Sequence, residues 1–234
     1  MRWVWVLLAL ALSGCSLPLP RLPWGLEGSQ GEGARRSVVR ISAHAPACGK
    51  DAEGTGFVYA PGRVMTVARV VAGAIPVSLT VTAGDGRQYA GDVVAFDPVT
   101  DVALLHVPGL PAPALRIARA PLGAAGLVGY PAGGGAAVAR EVEVERRLEA
   151  AGPDVFRERE TVRTVLALSG DVGAEASGWP VVAEEGVAAG MVFGVDEGRE
   201  RVAYALAAEE LLSVVKKAGD GTEHVSTRKC AGPR

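Results

Sequence analysis

Residues 54–66, Gly54-Thr55-Gly56-Phe57-Val58-Tyr59-Ala60-Pro61-Gly62-Arg63-Val64-Met65-Thr66, decide the fold. Two short apolar runs are separated by Pro61-Gly62, a dipeptide that punctuates strands, and no 3.6-residue period joins them. The stretch is therefore a strand, a break and a second strand. Val67-Ala68-Arg69-Val70-Val71-Ala72-Gly73 continues it as a short turn of helix carrying one charge, Arg69.

The same texture extends in both directions. "SVVRISAH" precedes it, and "PVSLTVT", "QYAGDVVAF", "DVALLHV", "GLVGYP", "AREVEVE", "ETVRTVLAL", "GVAAGMVFG" and "RVAYALA" follow. Many short β-rich runs bounded by Gly and Pro indicate a sandwich or barrel. Within them, Glu141-Val142-Glu143-Val144-Glu145 alternates as a half-exposed strand does, and calls for no metal. Helical spacing appears near the end, at residues 207–217, with Glu209 and Glu210 early and Lys216 and Lys217 late, which suits the helix dipole. The Pro/Gly/Ala-rich stretch at about 108–125 is the break between two halves, about 36–110 and 122–206.

The chain has 234 residues, 49% of them hydrophobic, enough for a substantial core in one globular unit. With 24 basic and 26 acidic residues its net charge is -2, so a nucleic-acid partner is not expected. Met1-Arg2, an apolar run "WVWVLLALAL" and the small residues before Cys15 form a secretion signal over 1–15. The run is shorter than the roughly 20 residues a membrane helix needs. Leu12-Ser13-Gly14-Cys15 resembles a bacterial lipobox, which implies diacylglycerol on Cys15 and anchoring on the outer side of the cytoplasmic membrane; an ordinary signal peptide is the alternative. Residues 16–35, rich in Pro, Gly and Ser, then serve as a flexible linker. Setting Cys15 aside leaves Cys48 and Cys230, an even pair in an oxidising compartment, so a disulfide is expected. In the chain-entropy model so long a loop stabilises by about 4 to 5 kcal/mol.

Three segments resemble the chymotrypsin-fold (trypsin-like) serine proteases in the chain order histidine, aspartate, serine. Gly54-Thr55-Gly56-Phe57 with Val64-Met65-Thr66 is similar to the strands leading into the histidine turn. Asp97-Pro98-Val99-Thr100-Asp101-Val102-Ala103-Leu104-Leu105 is similar to the stretch bearing the aspartate. Ala176-Ser177-Gly178-Trp179-Pro180 is similar to the family's N-S-G-G-P signature. Ser37-Val38-Val39-Arg40-Ile41, Ala47-Cys48-Gly49, Gly129-Tyr130-Pro131 and Val225-Ser226-Thr227 with Cys230 bring the likeness closest to the membrane-anchored acid-resistance proteases of actinobacterial envelopes (MarP-type). The match covers about residues 36–231. It implies two six-stranded antiparallel β-barrels with a short C-terminal helix, an all-β fold, with Ser177 at the nucleophile and Asp101 at the triad aspartate. In that family several membrane helices precede the domain; here the short signal takes their place.

The departures fall on the chemistry. At the histidine position stands Arg69, whose guanidinium has five donors and no acceptor and stays charged, so it can neither take nor return the serine proton. It is expected to pair with Asp101. His106, counted five residues along one strand from Asp101, is expected on the opposite face, and His44 and His224 lie outside any family-like arrangement. Two residues before Ser177, where the family has glycine in its oxyanion loop, Glu175 would set negative charge beside a developing oxyanion. Ala176 precedes Ser177, and Trp179 replaces a glycine near the floor of the specificity pocket, as core filler or as a ligand-stacking surface.

The expectation is a catalytically inactive pseudoprotease, a lipid-anchored monomer of the cell envelope that binds a peptide or protein partner through its old cleft and needs no cofactor or metal. A serine endopeptidase using Ser177 with a non-standard base is the alternative, and a purely structural lipoprotein the third reading.

Overall fold

A computed structural model describes residues 34–75, 78–183, 186–196, 198, 201–227 and 229–232. The signal segment, Cys15 and all but the last two residues of the linker lie outside the described residues.

The first sheet takes up β1 (Val38–Ala45), β2 (Lys50–Ala60), β3 (Arg63–Thr66), β4 (Leu79–Thr82), β5 (Gln88–Ala90), β6 (Asp92–Asp97) and β7 (Val102–His106). Its order is β5-β4-β1-β2-β3-β7-β6, antiparallel throughout. No ladder joins β5 to β6 among the described residues, so this half curls without closing. A four-residue helix, α1 (Ala68–Val71), leaves the end of β3.

The second sheet contains β8 (Arg116–Ile117), β9 (Gly123–Gly129), β10 (Val138–Pro153), β11 (Glu160–Gly170), β12 (Pro180–Ala183), β13 (Val187–Val195) and β14 (Val202–Ala207). Antiparallel ladders run β9-β10-β11-β14-β13-β12 and return to β9, a closed ring of six. The two-residue β8 adds in parallel to β13. Among the described residues each sheet thus has seven strands, one more than the six of the expected barrel. The run "QYAGDVVAF" accounts for one of them: Gly91 donates its N–H to Leu79 O (3.1 Å) and divides the run into β5 and β6. β8 is too short to carry any period.

The alternation written in 141–145 appears as buried Val142 and Val144 between exposed glutamates. Helix α2 (Ala208–Ala218) turns Ala208, Leu211 and Val214 inward. Its Glu210 carboxylate accepts the Thr164 N–H (2.8 Å), a strand donor that β14 does not reach. Among the described residues no helix is long and apolar enough to cross a membrane.

One hydrophobic cluster fills the first half and continues to Met191, Leu206 and Leu211 of the second. A second, built around Trp179, Leu127, Leu166, Leu168 and Val181, fills the ring. Backbone bonds from Leu115 to Val58 (2.8 Å) and from Val155 to Pro98 (3.0 Å) tie the halves together, and the tip of the β10–β11 hairpin reaches across to the first sheet.

Candidate functional site

β3 ends at Thr66, and the first turn of α1 is built on Asp101. The Asp101 carbonyl accepts the Ala68 N–H (3.2 Å), and its Oδ1 accepts the Arg69 N–H (3.2 Å). Asp101 has φ +65°, a left-handed conformation that aspartate tolerates better than most residues. It therefore precedes β7 and lies outside the strand. Counting strand alternation from Asp101 to His106 does not hold for that reason. His106 ends β7 and pairs in register with Arg63 and Asp92. His44 bonds Asp51 on the exposed β1–β2 ladder (2.5 Å), and His224 is exposed in the C-terminal segment.

The Arg69 side chain turns back onto the same carboxylate. Its Nε–H donates to Asp101 Oδ2 (2.8 Å), and Nη2 donates to that oxygen as well. Asp101 is 1% exposed and the Arg69 side chain 28%. Burial pushes the Asp101 carboxyl above its ordinary range, and the adjacent Arg69 charge pulls it back. A second guanidinium acts in the same sense. Arg163, buried on β11, donates Nε–H to Val99 O (2.7 Å) and Nη2–H to Pro153 O (2.8 Å), and lies 5.9 Å from the Phe193 ring. Burial holds Arg163 below its ordinary value. Sequence reading missed it, although its place in phase with Val165 and Ala167 marks a cation on an inward face.

Ser177 comes from the other half. Residues Ala174–Ala176 form a single 3₁₀ turn in which the Ala176 N–H donates to Gly173 O (3.0 Å). The Trp179 N–H donates to Ala176 O (2.9 Å), and the Ser177 hydroxyl donates to Ala174 O (3.3 Å). Gly178, at φ +85°, lets the loop meet the first sheet, since a Cβ there would collide with the Thr55 carbonyl oxygen and approach Thr66 Oγ1 at 3.3 Å. The Ser177 loop thus meets the first sheet at Thr55 and Thr66, the strand end from which the Arg69 helix leaves. No hydrogen bond links Ser177 to Arg69 or Asp101 among the described residues.

Glu175 is not left as a bare charge. Its Oε1 lies 2.9 Å from Arg140 Nη1, which also donates to Asp171 O (3.1 Å), and the guanidinium sits 5.3 Å from the Trp179 ring. The charge expected at Glu175 is therefore matched by a guanidinium that the sequence reading did not include. Arg140 shares the phase of Val138, Val142 and Val144, a signal present in the sequence and not used. Trp179 is fully buried with its Nε1–H unpartnered, so it is core and offers no ligand-stacking face. Ala176 is also buried.

Behind Arg69 lies the expected disulfide, Cys48–Cys230. Gly73, at φ +77°, leaves room for the Cys48 sulfur. The C-terminal segment is further held by Thr227 Oγ1 to Ala74 O (3.0 Å) and the Gly232 N–H to Val155 O (2.9 Å). A cavity of about 290 Å³ opens here, lined by Asp51, Glu53, Arg69, Asp154 and Arg157, with Ser177 outside it. Among the described residues no group of three or more His, Cys, Asp or Glu could hold a metal ion.

Chemically, the Ser177 hydroxyl donates to a backbone carbonyl, and Arg69, a donor-only group, can neither accept nor return a proton. The arrangement can bind, through hydrogen-bond donors and a strand edge. From Phe193 to Val195 the side of β13 away from β14 carries no ladder among the described residues, since pairing with β12 begins at Met191.

The model of the trypsin-like peptidase domain matches residues 54–191. The serine protease Rv3671c of Mycobacterium tuberculosis H37Rv is 40% identical over 198 residues, which is 83% of this chain and 49% of the relative. The chain thus spans about half the length of the curated relatives it matches. The crystal structure of the M. tuberculosis Rv3671c protease in its active form superposes with a TM-score of 0.83 at 36% identity, covering 90% of this chain and 92% of that one. The inactive form of the same protease superposes at 0.72 and 35%, covering 84% and 96%.

Proposed function

The chain belongs to the trypsin-like peptidase domain family as a homologue of serine protease Rv3671c, and from that premise we propose that it is a pseudoprotease of the cell envelope, anchored by lipid on Cys15, which binds a peptide or protein partner without cleaving it. The observation that carries this reading is the Arg69–Asp101 pair. Asp101 is the triad aspartate, Ser177 the former nucleophile and Arg69 the replacement for the histidine between them. Arg69 spends its Nε–H and Nη2–H on the carboxylate and has no lone pair to offer the Ser177 proton.

The serine turn supports the same reading. Acyl transfer needs N–H donors aimed at the place where the substrate oxygen gains charge. Here the Ala174 carbonyl, an acceptor, lies 3.3 Å from Ser177 Oγ. Binding needs less, and the open side of Phe193–Val195 suits a peptide added as a further strand. Partner and compartment follow from the signal and lipobox at 1–15, with Cys15→Ser expected to release the protein from membranes. The molecule acts as a monomer and recognises no nucleic acid.

The test is labelling of the purified, oxidised protein with a fluorophosphonate probe of activated serines, with Ser177→Ala as blank. No labelling, with signal appearing in Arg69→His alone or together with Glu175→Gly, supports the reading. Labelling that disappears in Ser177→Ala defeats it in favour of a working endopeptidase with a non-standard base, the alternative that the closer superposition on the active form of the relative favours.

A further inference from the structure

Arg140 touches both ends of the serine turn. Its position is fixed by the β9 ladder, where it pairs with Leu127, and the ladder to β11 begins two residues later at Val142 opposite Gly170. The guanidinium therefore sits at the mouth of the β10–β11 ladder, where Nη1 closes on Asp171 O, the first residue beyond β11. The same nitrogen takes Glu175 Oε1 at 2.9 Å, and the Trp179 ring backs the group at 5.3 Å. Residues 171, 175 and 179 are thus gathered on one side chain, and Ser177 lies within the span they enclose. The two charged side chains are 27% and 25% exposed, largely withdrawn from water.

Glu175 also presses inward. A Cβ on Gly173 would run into its carboxylate, so the acid lies folded across the start of the turn. In this winding the Ala176 N–H is spent on Gly173 O and the Ser177 hydroxyl on Ala174 O. A ligand carbonyl arriving at Ser177 would meet the Ala174 carbonyl, an acceptor, with the Ala176 N–H and the Ser177 hydroxyl already engaged.

We propose that Arg140 is a positioning residue for the Ser177 loop: through Glu175 it latches the turn in its closed winding, and a peptide carbonyl reaches the backbone donors around Ser177 only when the pair parts. The latch itself rests on geometry. Its consequence for ligand entry rests on the reading of Ser177 as the former nucleophile.

Amide hydrogen exchange on the full oxidised protein, read residue by residue by NMR, tests it. Arg140→Gln and Glu175→Gln are each expected to speed exchange of the Ala176 and Trp179 amides by about fivefold to tenfold, the range of a partly exposed ion pair with an aromatic neighbour. The double variant exchanges no faster than the faster single one, because both changes remove the same contact. Arg140→Lys, which keeps the charge, recovers part of the protection. Amides of Val165 and Leu168, deep in the β11 ladders, stay at parental rates and report that the fold is intact. Single variants exchanging at parental rates, or effects that multiply in the double variant, overturn the latch. Fluorophosphonate labelling of the same changes on an Arg69→His background separates the two ideas: exchange as expected without any labelling keeps the latch and removes the former-nucleophile reading.

Discussion

Two arginine–carboxylate pairs belong to the candidate site, and they are built differently. Asp101 is buried, its left-handed backbone and its carboxylate both occupied in starting α1, so Arg69 is set by an acid that cannot move away. Glu175 sits on a single turn between Gly173 and Gly178, a quarter exposed, and takes its place from Arg140 on a rigid strand. In one pair the acid fixes the base; in the other the base fixes the acid. The first is part of the scaffold and the second restrains a loop, although charge and separation alone would make them look alike.

The sharpest test of this contrast concerns the floor beneath the second pair. Trp179→Ala empties the centre of the ring core and is expected to cost about 4 kcal/mol in urea unfolding. A loss near that of a surface change would mean the loop carries its own stability. Next comes Arg69→Ala, which strands a buried carboxylate at an expected cost of about 3 kcal/mol near pH 7, toward the lower end for a broken buried pair because Arg69 is partly open to solvent. This deficit has a pH sign. Burial already holds the Asp101 carboxyl above its unfolded value, and losing Arg69 raises it further, so the folded form takes up a proton more readily than the unfolded chain. The deficit should shrink as the pH falls from 7 toward about 4, the unfolded carboxyl range, and a constant difference across that window would show that Asp101 is not the group left unpaired. Arg140→Ala, by contrast, is expected to cost about 1 kcal/mol. A loss equal to that of Arg69→Ala would erase the distinction between the pairs. The smallest effect belongs to Val162→Thr on the exposed side of β11, within about 0.5 kcal/mol of the parent.

That last position, beside Arg163, shows what sequence could and could not reveal. The β architecture was legible because Gly and Pro punctuate runs whose alternation survives in the structure, as in 141–145. The Arg69–Asp101 pair was legible through resemblance and the donor chemistry of arginine. In β11 the pattern is inverted: Val162 is 66% exposed and Arg163 6%. Hydrophobicity favours Val162 inside, but the carbonyls of Pro153, across the hairpin, and of Val99, in the first half, satisfy Arg163 and decide the matter. Arg140 was hidden similarly, since its partners Asp171 and Glu175 are more than thirty residues away. Asp101 misled the reading of His106 because a positive φ in a non-glycine residue has no signature in local hydrophobic pattern. Phase along the strand marked both Arg140 and Arg163 as inward, but the partners that satisfy them lie on other segments.

The disulfide also divides the molecule mechanically. It joins Cys48 to Cys230 across 182 residues, so everything between them is covalently looped, while β1 lies on the N-terminal side, outside the loop. Tension applied to the N-terminal segment is therefore borne first by the ladders of β1 to β2 and β4, and after they yield the chain stops extending at Cys48. Under load the protein would behave as a short extensible leader on an inextensible body.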